Sequence, residues 1–228
     1  MTTQQDRARR TRETQQDRAR KTREMLLAAA RRVFAEKGYL RATVADIVAE
    51  AGRAHGTFYL YFDNKQDVFA ALLDEAIESL SSQSKAMWRH ENPTRSVWVT
   101  VRRFLEEFGD NQDLWLLFDH MTATDPTFTA LRDNWRAEFV ARIRRGIESA
   151  ATPATATLDT QVLAEILAAM VDEVCRVLYL EGRRWHPDTV ALHITTLWAR
   201  GLGYPAADLD ELIAEVATGT AVPVDAVG

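Results

Sequence analysis

The stretch Thr43–Lys65, TVADIVAEAGRAHGTFYLYFDNK, decides the fold of the N-terminal part of the chain. Its first residue is a suitable N-cap, and Asp46 three positions later gives a pattern close to a capping box. Apolar residues then recur at helical spacing up to Gly52, which can adopt the left-handed conformation found at helix C-termini. Residues Gly56–Phe62 continue as a second short, aromatic-rich helix. The stretch therefore predicts a helix-turn-helix, whose second helix enters the DNA major groove.

This stretch and the residues before it resemble the TetR family of bacterial transcriptional regulators over residues 22–72. The matching features, in order, are an alanine-rich first helix ending in Phe34–Tyr39, then Ala42-Thr43-Val44, Ile47-Val48, Ala51-Gly52, Gly56–Phe62 and Asn64-Lys65. Two residues depart from the family pattern. Arg53 replaces a small apolar residue, and Ala54 replaces a serine-like cap of the recognition helix. A lost cap costs about 0.5–2 kcal/mol, so either this helix starts differently or Gly52 or solvent serves its N–H groups.

The resemblance implies an all-α fold with two domains joined in sequence. We expect a basic N-terminal arm over residues 1–21, a three-helix helix-turn-helix DNA-binding domain over 22–68, and a helical effector-binding and dimerisation domain over 69–228. In the family the last two long helices form the homodimer interface, here Leu158–Glu181 and Pro187–Arg200. The first of these is apolar on more than one face, as expected for a helix buried against both its own core and a partner. A palindromic DNA operator also requires a two-fold protein.

Charge is distributed unevenly along the chain, whose net charge is −5. Residues 1–68 contain 14 Lys and Arg against 9 Asp and Glu, and the remainder contains 14 against 24. The positive charge coincides with the helix-turn-helix, where DNA phosphates require it. The only cysteine is Cys175, which suits a reducing compartment, and neither a signal peptide nor a run of eighteen apolar residues is apparent. We expect a cytoplasmic bacterial protein, nucleoid-associated when bound to DNA, with no membrane partner.

The first 24 residues contain a tandem repeat, TQQDRARRTRE followed by TQQDRARKTRE. Eleven residues are close to three helical turns, so the two copies would present the same helix face. We interpret the repeat as a helix-prone basic arm leading into a first helix over about Arg20–Lys37, whose core face includes Met25 and Leu26. It either adds a DNA contact, which is favoured for the second copy, or is a solvated extension without a role, which is favoured for the first.

Helical spacing continues through the remainder of the chain, without a convincing alternating strand. The predicted helices are Lys65–Ser82, Pro93–Phe108, Gln112–Met121, Pro126–Ser149, Leu158–Glu181, Pro187–Arg200 and a short one around Leu209–Val216. Gly182 and Gly201 are expected to end the two long helices before the last one.

DNA contacts are predicted on and around the second helix of the motif. Residues expected to meet base edges or approach the bases are Ala54, His55, Gly56 and Tyr59, and the resemblance adds Ala45. Residues expected to contact the phosphate backbone are Thr43, Thr57, Tyr61 and Lys65, with Arg53 as an additional candidate. Packing in the core is the alternative for the tyrosines, although Phe58 and Phe62 are the stronger core candidates.

An effector site is predicted in the second domain, which holds all six tryptophans, Trp88 among them. Aromatic side chains can line an apolar pocket, although filling the core is the alternative for each one alone. Asp172 and Glu173 interrupt an apolar run, and a buried carboxylate needs a partner, for which Arg176 is available. The candidate ligand-binding residues are Trp98, Phe104, Phe108, Trp115, Trp135, Phe139, Met170, Asp172 and Tyr179.

Catalytic motifs are absent from the sequence. The five histidines are scattered without metal-ligand spacing, and neither a phosphate loop nor a nucleophile motif occurs. We therefore expect no enzyme activity, no cofactor and no metal. The sequence predicts a homodimeric repressor released from a palindromic DNA operator by a small apolar effector. The alternatives are an effector-independent DNA-binding regulator with a filled second domain, and a small-molecule-binding protein or enzyme that retains a helix-turn-helix.

Overall fold

The computed structural model describes the backbone of residues 2–87 and 92–219 and the side chains of residues 16–79 and 92–219. Within these ranges the chain is all-α, as predicted, with ten α-helices and one π-helical turn. It divides into two compact units, one up to Glu75 and the other from Ala76 onward. Trp88 and the side chains of the first repeat copy lie outside the described residues.

The first unit contains three complete helices and the start of a fourth: α1 Thr2–Lys37, α2 Val44–Glu50, α3 His55–Phe58 and α4 Lys65–Met87. Helix α1 begins well before the expected Arg20, so the arm and the first predicted helix are one continuous helix. Ion pairs from Arg20 to Asp17 and Glu24 lie on the surface of its second repeat copy. Leu26 is fully buried as predicted, but Met25 is 41% exposed and was wrongly placed in the core.

Local hydrogen bonds define both ends of α2. The Thr43 hydroxyl accepts from the Asp46 backbone N–H, and the Asp46 carboxylate accepts from the Thr43 backbone N–H at 3.0 Å, which completes the predicted capping box. At the other end Gly52 has φ = +62°, and the following N–H of Arg53 donates to the Val48 carbonyl at 2.9 Å. This is the Schellman arrangement, which requires a left-handed residue and turns the chain sharply towards α3.

The second unit is formed by helices that pack in pairs. They are α5 Pro93–Asp110, α6 Gln112–Thr122, α7 Pro126–Ser149, α8 Thr160–Cys175, α9 Pro187–Leu202 and α10 Ala206–Thr218. Helix α5 packs mainly on α9, α7 on α8, and α10 on both α9 and α5. The side chains of Asn92, Asp125 and Asp159 cap α5, α7 and α8.

Several other predicted helix ends differ from the structure. The helix predicted to end at Ser82 continues to Met87, and the helix predicted from Leu158 begins at Thr160. The helix predicted over Leu158–Glu181 is α8 followed by one π-helical turn over Arg176–Leu180. Helix α9 continues through Gly201 to Leu202 and is followed by Gly203, which has φ = +70°. Among the described residues, no helix combines the length and apolar character needed to cross a membrane.

Candidate DNA-binding surface and ligand cavity

Helix α3 presents two contrasting faces. Phe58 is fully buried and contacts the ring of buried Phe62 at a centroid distance of 5.6 Å, as predicted for these two core residues. On the other face His55 is exposed and Tyr59 is 52% exposed, with their ring centroids 5.4 Å apart. One side of the short helix is therefore fixed in the core while the other faces solvent.

The predicted DNA-contacting residues, apart from Lys65, lie at the surface in and around this helix-turn-helix. Those that are exposed are Thr43, Ala45, Arg53, Ala54, His55, Gly56 and Tyr59, and those that are half-buried are Thr57 and Tyr61. Ala54 occupies the N-cap of α3 and provides no side-chain hydrogen bond. Helix α3 therefore lacks a side-chain cap, as the sequence predicted. A guanidinium N–H of exposed Arg53 points at the sulfur of Met25, 3.2 Å away.

Lys65 has a structural role that differs from the expected phosphate contact. Its ammonium donates to the backbone carbonyls of Tyr39 at 2.6 Å and Ala42 at 2.9 Å, and lies 4.4 Å from the Tyr39 ring centroid. Burial lowers the pKa of Lys65. Because these N–H groups already have acceptors, the structure does not support Lys65 as an available phosphate contact. Its side chain instead holds the loop between α1 and α2 against the start of α4.

Positive charge on this unit is partly neutralised on α1 and α2 by local ion pairs. Arg32 pairs with Glu50 at 2.7 Å, and Lys37 pairs with Asp46 at 2.6 Å. The hydrogen bond from Lys37, with those from Thr43, lowers the pKa of Asp46 to about 2. Arg53 lies outside these pairs, in the turn before α3.

The second unit contains a mostly apolar cavity of about 360 Å³ among α5, α7, α8 and α9. Its size lies within the range of about 300–1,000 Å³ typical of small-molecule sites. The lining residues are Val97, Thr100, Val101, Phe104, Phe139, Arg142, Ile143, Arg145, Gly146, Ile147, Ser149, Val171, Trp198, Leu202 and Tyr204. Two predicted ligand-binding residues, Phe104 and Phe139, belong to this set. We call this space the α5–α9 cavity.

A second, more charged cleft of about 280 Å³ accounts for four further predicted residues. Phe108, Trp115, Trp135 and Asp172 line this cleft, and not the α5–α9 cavity. Stacked rings extend from one space to the other, with centroid distances of 5.1 Å for Phe104–Phe139, 6.2 Å for Phe139–Trp135 and 5.5 Å for Trp135–Trp115. The sequence predicted a single aromatic pocket. The structure instead contains two spaces, with a row of stacked aromatic rings that extends from the lining of one to the lining of the other.

Three predicted ligand-binding residues line neither space. Trp98 is buried with Arg102 over its ring, Tyr179 packs against Phe108, and Met170 is half-buried on α8. Trp98 fills the core, which is the alternative that the sequence had left open for the aromatic side chains of this domain.

Asp172, a half-buried carboxylate on α8, pairs with a residue of another helix. Asp172 pairs with Arg136 of α7, while Arg176 pairs instead with Glu173 and Glu181. Burial raises the pKa of Asp172, and the Arg136 charge opposes this effect. Asp172 therefore joins α7 to α8, and its pairing reduces the charge available to a ligand in the cleft.

Residues near the end of α9 were missed by the sequence-based interpretation. The N–H of Tyr204 donates to the Ala199 carbonyl at 2.9 Å across left-handed Gly203, a second Schellman arrangement. A Cβ at residue 203 would also lie 2.8 Å from the Ala154 side chain, so both backbone conformation and space favour glycine. The Gly-Tyr-Pro sequence was the available signal that Tyr204 is fixed at a helix end and turned towards the interior.

Metal chemistry receives no support from the described side chains, among which no group of three or more His, Cys, Asp or Glu could hold an ion. Helix α3 instead has the geometry of a DNA-reading helix, with an anchored aromatic face and an exposed polar face after a sharp glycine turn. The fold and site define a helix-turn-helix DNA-binding protein with a second, cavity-bearing helical domain.

Comparisons with known proteins agree with this class. Residues 26–72 match the family described as bacterial regulatory proteins, tetR family. The regulator YfiR of Bacillus subtilis is 32% identical over 89 residues, which are 37% of this chain and 40% of that protein. The regulator EthR of Mycolicibacterium smegmatis is 24% identical over 88% of this chain and 95% of its own length. A TetR-like regulator from Rhodococcus sp. RHA1 has the same fold, with a TM-score of 0.62 at 19% identity, covering 81% of this chain and 97% of that one. The helix-turn-helix region of this chain is thus similar to that of TetR-family regulators, and the chain spans less than half the length of YfiR that it matches.

Proposed function

We propose that this protein is a ligand-responsive transcriptional repressor that binds a palindromic DNA operator as a homodimer and is released by a small effector. The proposal rests on the presence of two features in one chain: an exposed recognition helix in one unit and an apolar cavity in the other. The cavity favours an effector-responsive regulator over one with a filled second domain.

The DNA-binding role is supported by the surface around α3. His55 can hydrogen-bond base edges, Gly56 permits close approach of the backbone, and Tyr59 can contact a thymine methyl or a phosphate. We assign Thr43, Thr57, Tyr61 and Arg53 to positioning on the phosphate backbone and Ala45 and Ala54 to the groove-facing surface. Lys65 is omitted from this set because its ammonium is used within the fold.

Dimerisation is supported by an exposed apolar row that continues into α8. Leu158, Val162 and Ile166 recur every four residues and are 48%, 54% and 56% exposed, and Leu197 on α9 is 60% exposed. Such a row on one helix face indicates a protein interface. In a two-fold dimer, the recognition helices should lie roughly 34–36 Å apart, one turn of DNA.

Effector control follows from a population shift. A molecule that binds one arrangement of the second unit more tightly than another biases the dimer towards that arrangement. The covalent route to the DNA-binding unit is α4, which spans the division between the two units. We propose that the ligand-bound arrangement spaces the recognition helices incorrectly for adjacent major grooves.

The dimer assignment is tested by Ile166→Glu, which places a charge in the apolar row. The expected result is a monomer in sedimentation or light-scattering measurements, with loss of tight operator binding. Leu116→Glu is the matched control, because Leu116 is 57% exposed on α6, outside the proposed interface. A dimer that persists with Ile166→Glu, or is lost equally with Leu116→Glu, contradicts the assignment.

The DNA-binding role is tested by selecting bound sequences from random duplex DNA at near-physiological salt. Wild-type protein should recover a palindrome with half-sites about one helical turn apart. Recovery of no motif, with binding that disappears as salt rises, would indicate only non-specific phosphate contacts and would reject the proposal.

A further inference from the structure

The tandem repeat over residues 3–24 forms the start of α1 and is not part of the surface around α3 to which DNA contacts were assigned. Each eleven-residue copy contains four Arg or Lys, two Asp or Glu and a single apolar residue, an alanine. A segment of this composition has too little apolar surface to build a packed core or to bury a helix face in a membrane. What the repeat can offer to a partner is therefore positive charge.

Exposed positive charge on the second copy follows one face of α1. Arg18 and Lys21 are both exposed, and so is Met25 one turn further along. Spacings of three and four residues place these side chains beside one another on the helix surface. Neither Arg18 nor Lys21 forms an ion pair with another described side chain. We call these two residues the basic stripe.

The other two arginines of the second copy are paired within the protein. Arg20 lies across the helix from Arg18, and it pairs with Asp17 at 3.6 Å and with Glu24 at 3.1 Å. Arg23 pairs with Glu75 of α4 at 2.9 Å. The charge of the repeat that is available to a partner is therefore concentrated on the basic stripe.

Helix α1 runs beside α2 in the opposite direction, and its upstream part reaches the turn before α3. Arg32 of α1 pairs with Glu50 at the end of α2 at 2.7 Å. Further upstream, the sulfur of Met25 lies 3.2 Å from the guanidinium of Arg53 in the turn. The basic stripe begins one helical turn before Met25 and lies on the same face. It is therefore continuous with the surface of the turn that precedes the recognition helix.

The repeat keeps positive charge at both stripe positions. Because eleven residues are close to three helical turns, positions 7 and 10 of the first copy correspond to positions 18 and 21 of the second. Both positions are arginine in the first copy. The single difference between the copies, Arg10 against Lys21, leaves the charge unchanged. The sequence of each copy thus has a basic residue at the same two positions.

We propose that the basic stripe of Arg18 and Lys21 is a second DNA-contacting element, which binds phosphates of the duplex beyond those bound around α3. Contacts of this kind add affinity and release condensed counterions, but they do not read the sequence. The stripe strengthens binding while α3 selects the site. The inference rests on the proposed function, because it requires α3 to meet DNA.

The test uses the full-length double variant Arg18→Gln/Lys21→Gln and the duplex selected by the wild-type protein. Fluorescence anisotropy over a series of salt concentrations gives the slope of log affinity against log salt. Loss of two phosphate contacts should reduce this slope by about 1.8, about 0.9 for each contact. Affinity at near-physiological salt should fall by roughly 10–30-fold relative to the affinity at 1 M salt. The preferred sequence should stay the same.

Single variants separate the position of the charge from the net charge. Arg18→Gln and Lys21→Gln should each reduce the salt slope by about 0.9, and Arg18→Lys should keep the wild-type slope. Arg20→Gln is the matched control, because it removes the same charge from the other side of the same helix. Its slope should equal that of the wild type. A reduction with Arg20→Gln as large as with Arg18→Gln would reduce the effect to net charge and overturn the stripe.

Thermal unfolding shows whether these changes act through the fold. All the substituted residues are exposed on α1, so each variant should unfold at the temperature of the wild type. A lower salt slope at unchanged stability supports a direct contact with DNA. A lower salt slope seen only in variants that have lost stability would overturn it.

The outcomes distinguish this inference from the proposed function. A wild-type protein that selects a palindrome, and a double variant that binds it with an unchanged salt slope, would overturn the stripe and leave the proposed function standing. A changed preferred sequence in the double variant would also overturn it, because phosphate contacts do not specify bases. A wild-type protein that selects no palindrome would reject the proposed function. The salt slopes on random duplex would then decide the stripe by the same criterion, because phosphate contacts do not depend on sequence.

Discussion

The two units of this chain differ in how their polar side chains are paired. In the DNA-binding unit, Lys65 donates to two backbone carbonyls, and Thr43 and Asp46 satisfy each other's N–H groups. In the second unit, Trp198 and Tyr204 have buried polar atoms without partners. Among the described side chains, every buried nitrogen or oxygen without a partner lies in this second unit.

Packing shows the same contrast. In the DNA-binding unit, the rings of Phe34, Tyr39 and Phe69 contact one another with centroid distances of 5.3–5.9 Å. Both cavities described above lie in the second unit. The second unit therefore retains space between its helices, whereas the aromatic rings of the first unit pack against one another.

The largest expected difference is the cost of removing a core ring. Phe58→Ala should lower the free energy of unfolding by about 3–5 kcal/mol, because Phe58 is fully buried in a packed core. Phe104→Ala should cost less, about 1–3 kcal/mol, since part of its ring already borders empty space and loses fewer contacts. Urea unfolding of both variants provides the measurement. Equal losses would remove the distinction between a filled and an unfilled core.

Lys65 tests whether the first unit depends on satisfied polar groups. Lys65→Met keeps the length of the side chain and removes its donors, which should cost about 1–3 kcal/mol in unfolding free energy. Lys21→Met, on the exposed surface of α1, should change it by less than about 0.5 kcal/mol. Unchanged stability of Lys65→Met with weaker binding to all DNA sequences would restore the phosphate-contact interpretation.

Two exposed residues near the turn should affect DNA binding in different ways. His55→Ala should change the preferred sequence, with a loss of about 1–3 kcal/mol of discrimination at one base pair. Arg53→Ala should weaken binding to selected and scrambled duplexes alike and reduce the salt slope by about one. Fluorescence anisotropy over a series of salt concentrations distinguishes the two. Equal losses on both duplexes for His55→Ala would count against its contact with a base.

The smallest expected effect concerns pH. The pKa of Asp46 is about 2 in the folded protein, below its usual 3.8, because of hydrogen bonds from Lys37 and Thr43. Its contribution to stability is therefore complete above pH 3.8 and is lost as the pH falls towards 2. Asp46→Asn should flatten the dependence of unfolding free energy on pH in this window. An unchanged slope would show that the carboxylate is not stabilised in this way.

The DNA-binding unit could be predicted from the sequence because its determinants are local. The capping box needs Thr43 and Asp46 three residues apart, and the turn needs only Gly52 at the end of α2. The role of Lys65 was missed because its acceptors, the carbonyls of Tyr39 and Ala42, lie more than twenty residues away. No helical pattern specifies such a contact.

The cavity could not be predicted because it depends on space left between helices that are distant in sequence. Phe104 and Phe139 were identified by their aromatic character, which did not distinguish them from Trp98 in the packed interior. Arg176 was expected to pair with at least one of Asp172 and Glu173, and it pairs with Glu173, whereas tertiary packing supplies Arg136 for Asp172. Helical spacing predicts that a segment is a helix, but it does not predict which face of that helix packs against a neighbouring helix.

The most direct test of the account is the linkage between the cavity and DNA. The affinity of the protein for the selected duplex would be measured with and without a saturating small molecule. Loss of small-molecule binding in Val101→Phe, which enlarges a residue of the cavity lining, would establish that the molecule binds in the cavity. The account predicts that occupancy weakens DNA binding by at least about fivefold, the lower end of typical allosteric coupling. Unchanged DNA affinity with the cavity occupied would contradict it.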